Sequence, residues 1–127
     1  MRVYIDSDVL IWHLRGERKA LAFLRSLKNK TQYELWTGAL QRAEVVFFMR
    51  PREEEATELF LSQFKTASVD QSIVDLGGWL YRQWHPSHGI DVHDALLAAT
   101  AMKTGGIIYC LNKKHYPMPD LTVHRAW

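Results

Sequence analysis

Arg2-Val3-Tyr4-Ile5-Asp6-Ser7-Asp8-Val9-Leu10 is the stretch on which the fold turns. Val3, Tyr4 and Ile5 are strand formers in an unbroken apolar run, the pattern of a parallel strand buried on both faces. The run stops at Asp6, and Ser7 or Asp8 is suited to cap the apolar segment Val9-Leu10-Ile11-Trp12 as a helix. A carboxylate at the carboxyl end of a parallel strand stands where open α/β sheets place their ligands. On its own an Asp-x-Asp is better explained as turn and cap. Acids further along the chain change that balance.

Outward from this strand, Glu17 to Asn29 places Ala20, Leu21, Leu24 and Leu27 at helical spacing, and Tyr33 to Thr37 reads as a short aromatic strand. A helix is expected from Gly38 to Met49, stopped by Pro51, and another from Arg52 to Lys65 with Ala56, Leu59, Phe60 and Phe64 inward. Ala67-Ser68-Val69 suggests a brief strand, with Asp70 capping a helix over Gln71 to Trp84. His85-Pro86-Ser87-His88-Gly89 reads as a loop. Ile90 to Met102 is nearly apolar all round, as a buried helix is, and Gly105-Gly106 end it. Ile107 to Leu111 is a further strand, Asn112 to Tyr116 a polar loop, and Leu121 to His124 an edge strand. Strands alternating with helices predict an α/β fold, a three-layer α/β/α sandwich around a mostly parallel sheet.

At 127 residues the chain is the size of one domain. A net charge of +2 neither announces nucleic-acid binding nor excludes it. The single cysteine, Cys110, leaves no partner for an internal disulfide and no zinc-type spacing, and reads as a small core residue. No apolar run is long enough to span a bilayer, and the N-terminus enters a strand directly, so a cytoplasmic protein without a signal peptide is expected.

Glu44 lies at i+4 from Leu40 and at i−4 and i−3 from Phe48 and Phe47, which puts it on the apolar face of its helix. A buried Glu needs a partner. That partner is either an Arg in a buried salt bridge or a metal ion at the edge of the core. Asp94 heads the most apolar helix, aligned with Leu97 and Ala98, and Asp91 sits one turn earlier on the same face. Both could instead serve the helix N-terminus, where free amides and the dipole favour carboxylates. Asp6, Glu44 and Asp94 can converge at one end of the sheet, where their repulsion calls for a cation. Oxygen ligands suit Mg²⁺ or Mn²⁺, and the chemistry that follows is metal-assisted attack of water on a phosphodiester.

These pieces resemble a PIN-domain nuclease of the VapC toxin type. The matching segments are Ile5-Asp6-Ser7-Asp8-Val9-Leu10-Ile11, Arg42-Ala43-Glu44-Val45, Gly89 to Ala101 with its Asp91-Val92-His93-Asp94 start, and Leu111-Asn112-Lys113-Lys114-His115-Tyr116-Pro117-Met118. The likeness covers essentially residues 1–127 as a single PIN domain. It implies that Asp6, Glu44 and Asp94 are the metal-binding acids, with Asp91 supplementary and Ser7 or Asp8 holding Asp6. Asn112 falls at the polar position after the fourth family strand, where many relatives carry a further acid. The resemblance also implies endoribonuclease activity on RNA, a Mg²⁺ or Mn²⁺ cofactor, a homodimer, and a small cognate antitoxin that blocks the site.

Lys113, Lys114 and His115 could grip RNA phosphates beside the metal, against the plainer reading of solvated loop cations. Trp79, Tyr81 and Trp84 are better assigned to core or dimer packing than to base stacking. His85, His88 and His93 lack a ligand spacing and read as incidental. Two other functions compete. Tyr4-Ile5-Asp6-Ser7-Asp8-Val9 also resembles the signature of haloacid-dehalogenase-like phosphatases, with Asp6 as nucleophile, although that leaves Glu44 idle. A non-catalytic α/β interaction module would leave all three acids idle.

Overall fold

Arg2–Ile5 (β1) is the central strand of a five-stranded parallel sheet in the computed structural model, which describes residues 1–127. The chain continues through α1 (Ser7–Leu14), α2 (Arg18–Lys28), β2 (Glu34–Gly38), α3 (Ala39–Val46), α4 (Glu54–Leu61) and β3 (Lys65–Ala67). Then come α5 (Gln71–His88), α6 (Val92–Thr104), β4 (Ile107–Cys110) and β5 (Thr122–Arg125). Strand order is β3-β2-β1-β4-β5, every neighbouring pair parallel. The chain therefore leaves β1 to one side, and α5 and α6 carry it back to β4 on the other. The crevice at that reversal lies at the carboxyl end of β1, where Asp6 stands.

Alternation along β1 builds two cores. Val3 and Ile5 pack with Val9, Leu10, Leu24 and Phe60 on one face of the sheet. Tyr4 packs with Leu80, Leu97, Ala98 and Ile108 on the other. Helices thus cover both faces, and the three-layer sandwich expected from the sequence is the fold observed.

Several boundaries differ from the sequence expectation; α6, for one, runs Val92–Thr104 rather than 90–102. The helix expected up to Met49 ends at Val46, and its buried residues are Gln41 and Val45. Phe47 and Phe48 are 78% and 81% exposed, so they do not mark the inward face. In the next segment a 3₁₀ turn spans Pro51–Glu53 and α4 stops at Leu61, with Thr57, Phe60 and Leu61 inward and Leu59 exposed. Thr57, Phe60 and Leu61 follow the same i, i+3, i+4 rule as the stripe read from the sequence, one step round the helix. The third strand is Lys65–Ala67 rather than 67–69.

The last difference is α5, which runs through the presumed loop to His88 with Pro86 inside it. A proline in the final turn forgoes only one ladder bond. His85, the residue a following proline normally pushes out of the helix, is held by stacking on Tyr81 at 4.6 Å and by a 2.8 Å bond between its ring Nδ1 and Ile90 O. Gly89, at φ 61°, then ends the helix.

Candidate active site

Asp6 is itself the cap of α1. Its Oδ1 accepts from the Ser7 amide at 2.7 Å, so the cap expected of Ser7 or Asp8 falls one residue earlier. Its Oδ2 accepts from the Tyr116 hydroxyl at 2.7 Å, and the side chain is enclosed, with 6% of the residue exposed. Asp8 accepts from its own helix at Val9 N (2.7 Å) and from Leu111 N (3.0 Å). The second bond ties the start of α1 to the end of β4. Asp8 is thereby a structural clasp next to Asp6. Asp8→Asn is expected to cut activity less than about tenfold, since it keeps one acceptor and touches no proposed ligand. RNA-cleavage rates compared with an Asp6 variant check this, and a loss as large as that at Asp6 would make Asp8 a ligand instead.

Glu44 reaches the same end of the sheet from α3. Its Oε2 accepts from Ser7 Oγ at 2.7 Å, and its Oε1 pairs with His93 Nδ1 at 2.6 Å. No Arg approaches it, so the buried Arg pair left open by the sequence is not what holds it. Glu44 is only partly buried, and faces the cluster because Gln41, on the neighbouring face of α3, is buried and donates to His93 O at 3.2 Å. Gly38 permits this docking: a Cβ there would collide with the Gln41 side-chain oxygen.

Asp94 enters from α6, 7% exposed. It forms a reciprocal capping box with Asp91, each carboxylate accepting the other's amide at 2.9 and 3.0 Å. Asp91 is thus an exposed N-cap, and the helix-terminus reading accounts for it. His115 Nδ1 lies 3.9 Å from Asp94 Oδ1. Asn112 caps the 3₁₀ turn Lys113–His115 through Lys114 N at 3.2 Å, and Lys113 and Lys114 project exposed beside the cluster.

Burial and mutual repulsion act on these acids. The Asp6 carboxyl is pushed up to about 7, first by desolvation and then by Asp8 and Asp94, with the Tyr116 and Ser7 bonds working against the rise. Asp94 is raised to about 6, chiefly by burial, and Asp8 is raised for the same reason. Tyr116, buried against them, is held far above its ordinary value and stays a donor. Cys110 is fully buried, a small core residue as expected, and burial pushes its thiol up to about 12.

The structure brings together Asp6, Ser7, Asp8, Glu44 and Asp94, named from the sequence as ligands or supports, and sets His115, named for RNA phosphates, 3.9 Å from Asp94. Three groups at the site were not legible in the sequence. His93, dismissed as incidental, holds Glu44. Tyr116 holds Asp6, and Gln41 seats α3 on α6. The one available signal was a tyrosine hydroxyl within the otherwise apolar Tyr116-Pro117-Met118. The acids fit a hard divalent cation by donor type and by the repulsion it would relieve. Even so, no three His, Cys, Asp or Glu side chains stand close enough in this geometry to form a ready-made ligand set.

Comparison with known proteins adds an independent line. The family model described as PIN domain matches residues 3–116. The chain is 38% identical over 119 residues to Ribonuclease VapC19 of Mycobacterium tuberculosis, covering 92% of this chain and 94% of that protein. It is 32% identical over 117 residues to Ribonuclease VapC10 of the same organism, covering 91% and 86%. Among solved structures, VapBC-1 from nontypeable Haemophilus influenzae superposes with a TM-score of 0.80 at 17% identity, over 99% of this chain and 98% of that one. A toxin-antitoxin complex from Klebsiella pneumoniae gives 0.77 at 22% identity, over 98% of each chain. At these identities the two structures speak for the fold alone.

Proposed function

The chain belongs to the PIN-domain family, alongside the VapC ribonucleases, and from that premise we propose that it is a divalent-metal-dependent endoribonuclease, the toxin of a toxin–antitoxin pair. The whole of residues 1–127 is taken as one such domain. The observation that carries the reading is the acid site at the carboxyl end of β1: Asp6, pushed up to about 7 by burial and by Asp8 and Asp94, with Glu44 joined to it through Ser7.

Asp6, Glu44 and Asp94 would hold Mg²⁺ or Mn²⁺, with Asp91 left to its capping box. When bound, the cation supplies a nucleophilic water and a counter-charge for the scissile phosphodiester. The chain's own residues do the rest. Ser7 joins two acids, giving its amide to Asp6 and its hydroxyl to Glu44. Lys113 and Lys114 offer phosphate contacts at the rim. Purified protein incubated with RNA should cleave it with Mg²⁺ or Mn²⁺ and stop with chelator. Cleavage that persists in chelator would overturn the metal dependence.

Glu44→Gln separates ligation from scaffolding. As a ligand, Glu44 should lose at least about tenfold in cleavage, with metal-free stability changed by less than about 1 kcal/mol, because a partly exposed acid gives up little on neutralisation. Urea denaturation beside cleavage assays reads both. A large stability loss with activity retained would make Glu44 a structural residue.

Partners are part of the same reading. A groove of about 520 Å³ runs beside Glu44, lined by Ile11, Leu14, Val45, Phe48 and Met49, with Arg15, Arg50 and Glu53 also along it. Its apolar floor and charged rim suit an antitoxin segment. On α5 and α6, exposed Val74, Trp79 and Val92 support a homodimer. No helix is long and apolar enough to cross a membrane.

A further inference from the structure

Tyr116 follows the turn that carries Lys113, Lys114 and His115. Its ring is 4% exposed, packed in the core on the α5–α6 side of the sheet. Its hydroxyl donates to Asp6 Oδ2 at 2.7 Å, across 110 residues of chain. A phenol needs no such partner in order to pack, and a phenylalanine would fill the same space.

The Asp6 carboxylate explains the hydroxyl. Oδ1 is fixed by the Ser7 amide at 2.7 Å, a bond that on its own leaves the group free to swing about Cβ–Cγ. The second bond, at Oδ2, removes that freedom. A carboxylate has roughly four lone-pair sites, so two hydrogen bonds leave room for a cation. With no hydroxyl at 116, Oδ2 would be enclosed without a donor.

We propose that Tyr116 is the positioning residue of the site: its hydroxyl fixes the Asp6 carboxylate in the orientation that receives the metal. The proposal rests on the reading of Asp6 as a ligand. Ligand carboxylates held by outer hydrogen bonds typically lose about 10–100-fold in metal affinity when that bond is removed. Tyr116 gains nothing from exposure to RNA, since its only polar atom points at Asp6.

The test is Tyr116→Phe, with Mn²⁺ alone titrated into chelator-stripped protein by calorimetry. The Mn²⁺ dissociation constant should rise roughly 10–100-fold. The Mn²⁺ concentration giving half-maximal cleavage should rise by the same factor, with the rate at saturation within about threefold of wild type. Tyr109→Phe, which removes a phenol influenced by Tyr33 and by no acid, should leave the Mn²⁺ titration unchanged. In an Asp6→Asn background, Tyr116→Phe should add no further loss of affinity, because the hydroxyl acts through Asp6.

Undiminished Mn²⁺ binding by Tyr116→Phe would overturn the proposal and leave the nuclease reading standing, as would an undiminished additional loss in the double variant. A wild-type chain that binds no Mn²⁺, and cleaves RNA regardless of it, would overturn the metal dependence and the proposal together. Should Tyr116→Phe fail to fold, Ser7→Ala in a Glu44→Gln background supplies the contrast. There the Ser7 hydroxyl no longer holds a charged ligand and the Ser7 amide still bonds Asp6, so Tyr116 remains the second anchor, and a further fall in Mn²⁺ affinity of less than about threefold is expected. A loss of 10-fold or more there would place the orienting role on Ser7 and overturn the assignment to Tyr116.

Discussion

Asp6→Asn is expected to yield a folded protein that has lost RNA cleavage by roughly 10²–10³-fold, equivalent to about 3–4 kcal/mol of transition-state stabilisation. Without metal it should also be more stable than wild type at pH 7, by about 1–2 kcal/mol. Both effects have one cause. The Asp6 carboxyl is enclosed beside Asp8 and Asp94 and resists ionisation up to about pH 7, so neutral protein either holds a costly charge or binds a cation. Asn keeps the size and the acceptor for the Ser7 amide, and the Tyr116 hydroxyl can rotate to accept from the new amide. Cleavage assays and urea denaturation in chelator measure the two halves. An Asp6→Asn protein that cuts RNA at the wild-type rate would remove Asp6 from the site.

The second large effect is in the pH dependence of the metal-free protein. Folding raises the Asp6 value from 3.8 to about 7 and that of Asp94 from 3.8 to about 6. A raised acid binds its proton more tightly when folded, so its contribution is complete below about pH 4 and is lost as pH climbs through the folded value. Asp6 alone accounts for a fall of roughly 4 kcal/mol between those limits, more than half of it between pH 5 and pH 7.5. Asp94 steepens the lower part of the slope. Glu34 and Asp70 are lowered on folding, and being fully exposed they oppose this only weakly, on the acid side of the ordinary carboxylate range. Chemical denaturation in chelator should therefore find the protein more stable at pH 5 than at pH 7.5. Saturating Mg²⁺ should flatten the profile, since the cation takes the place of the proton. A metal-free profile that rises from pH 5 to pH 7.5 would contradict the burial of these acids.

The parts of this molecule legible in its sequence are those whose determinants are local. Val3, Tyr4 and Ile5 announce a buried strand, and the alternation of strands and helices announces the layers. Asp6 and Asp94 stand out because an acid at the head of an apolar run has few explanations. Glu44 reaches Ser7 and His93 for a reason other than the one its spacing suggests: Phe47 and Phe48, its expected inward companions, face solvent, and Gln41 and Val45 take that role. A polar residue that docks one helix on another cannot be told from a surface residue by periodicity. His93 and Tyr116 were illegible for a different reason. Their partners, Glu44 and Asp6, lie 49 and 110 residues away, and only the closed fold says which acid meets which donor. The α5 terminus was missed because Pro86 reads as a breaker, while the bond that offsets it, from the His85 ring to Ile90 O five residues on, depends on the turn at Gly89, which periodicity does not register.

The order β3-β2-β1-β4-β5 also governs when the site comes into being. Asp6 and Glu44 belong to the half of the chain made first, Asp94 and Tyr116 to the half made last, and β4 can join β1 only after α5 and α6 have closed the long return. Contacts this distant in sequence carry the greatest loop-closure cost and form late. A nascent chain still attached to the ribosome, with β1 to β3 already emerged, has an unpinned Asp6 and no Asp94 opposite it. The acids proposed to hold the metal thus come together only at the end of the chain's own synthesis.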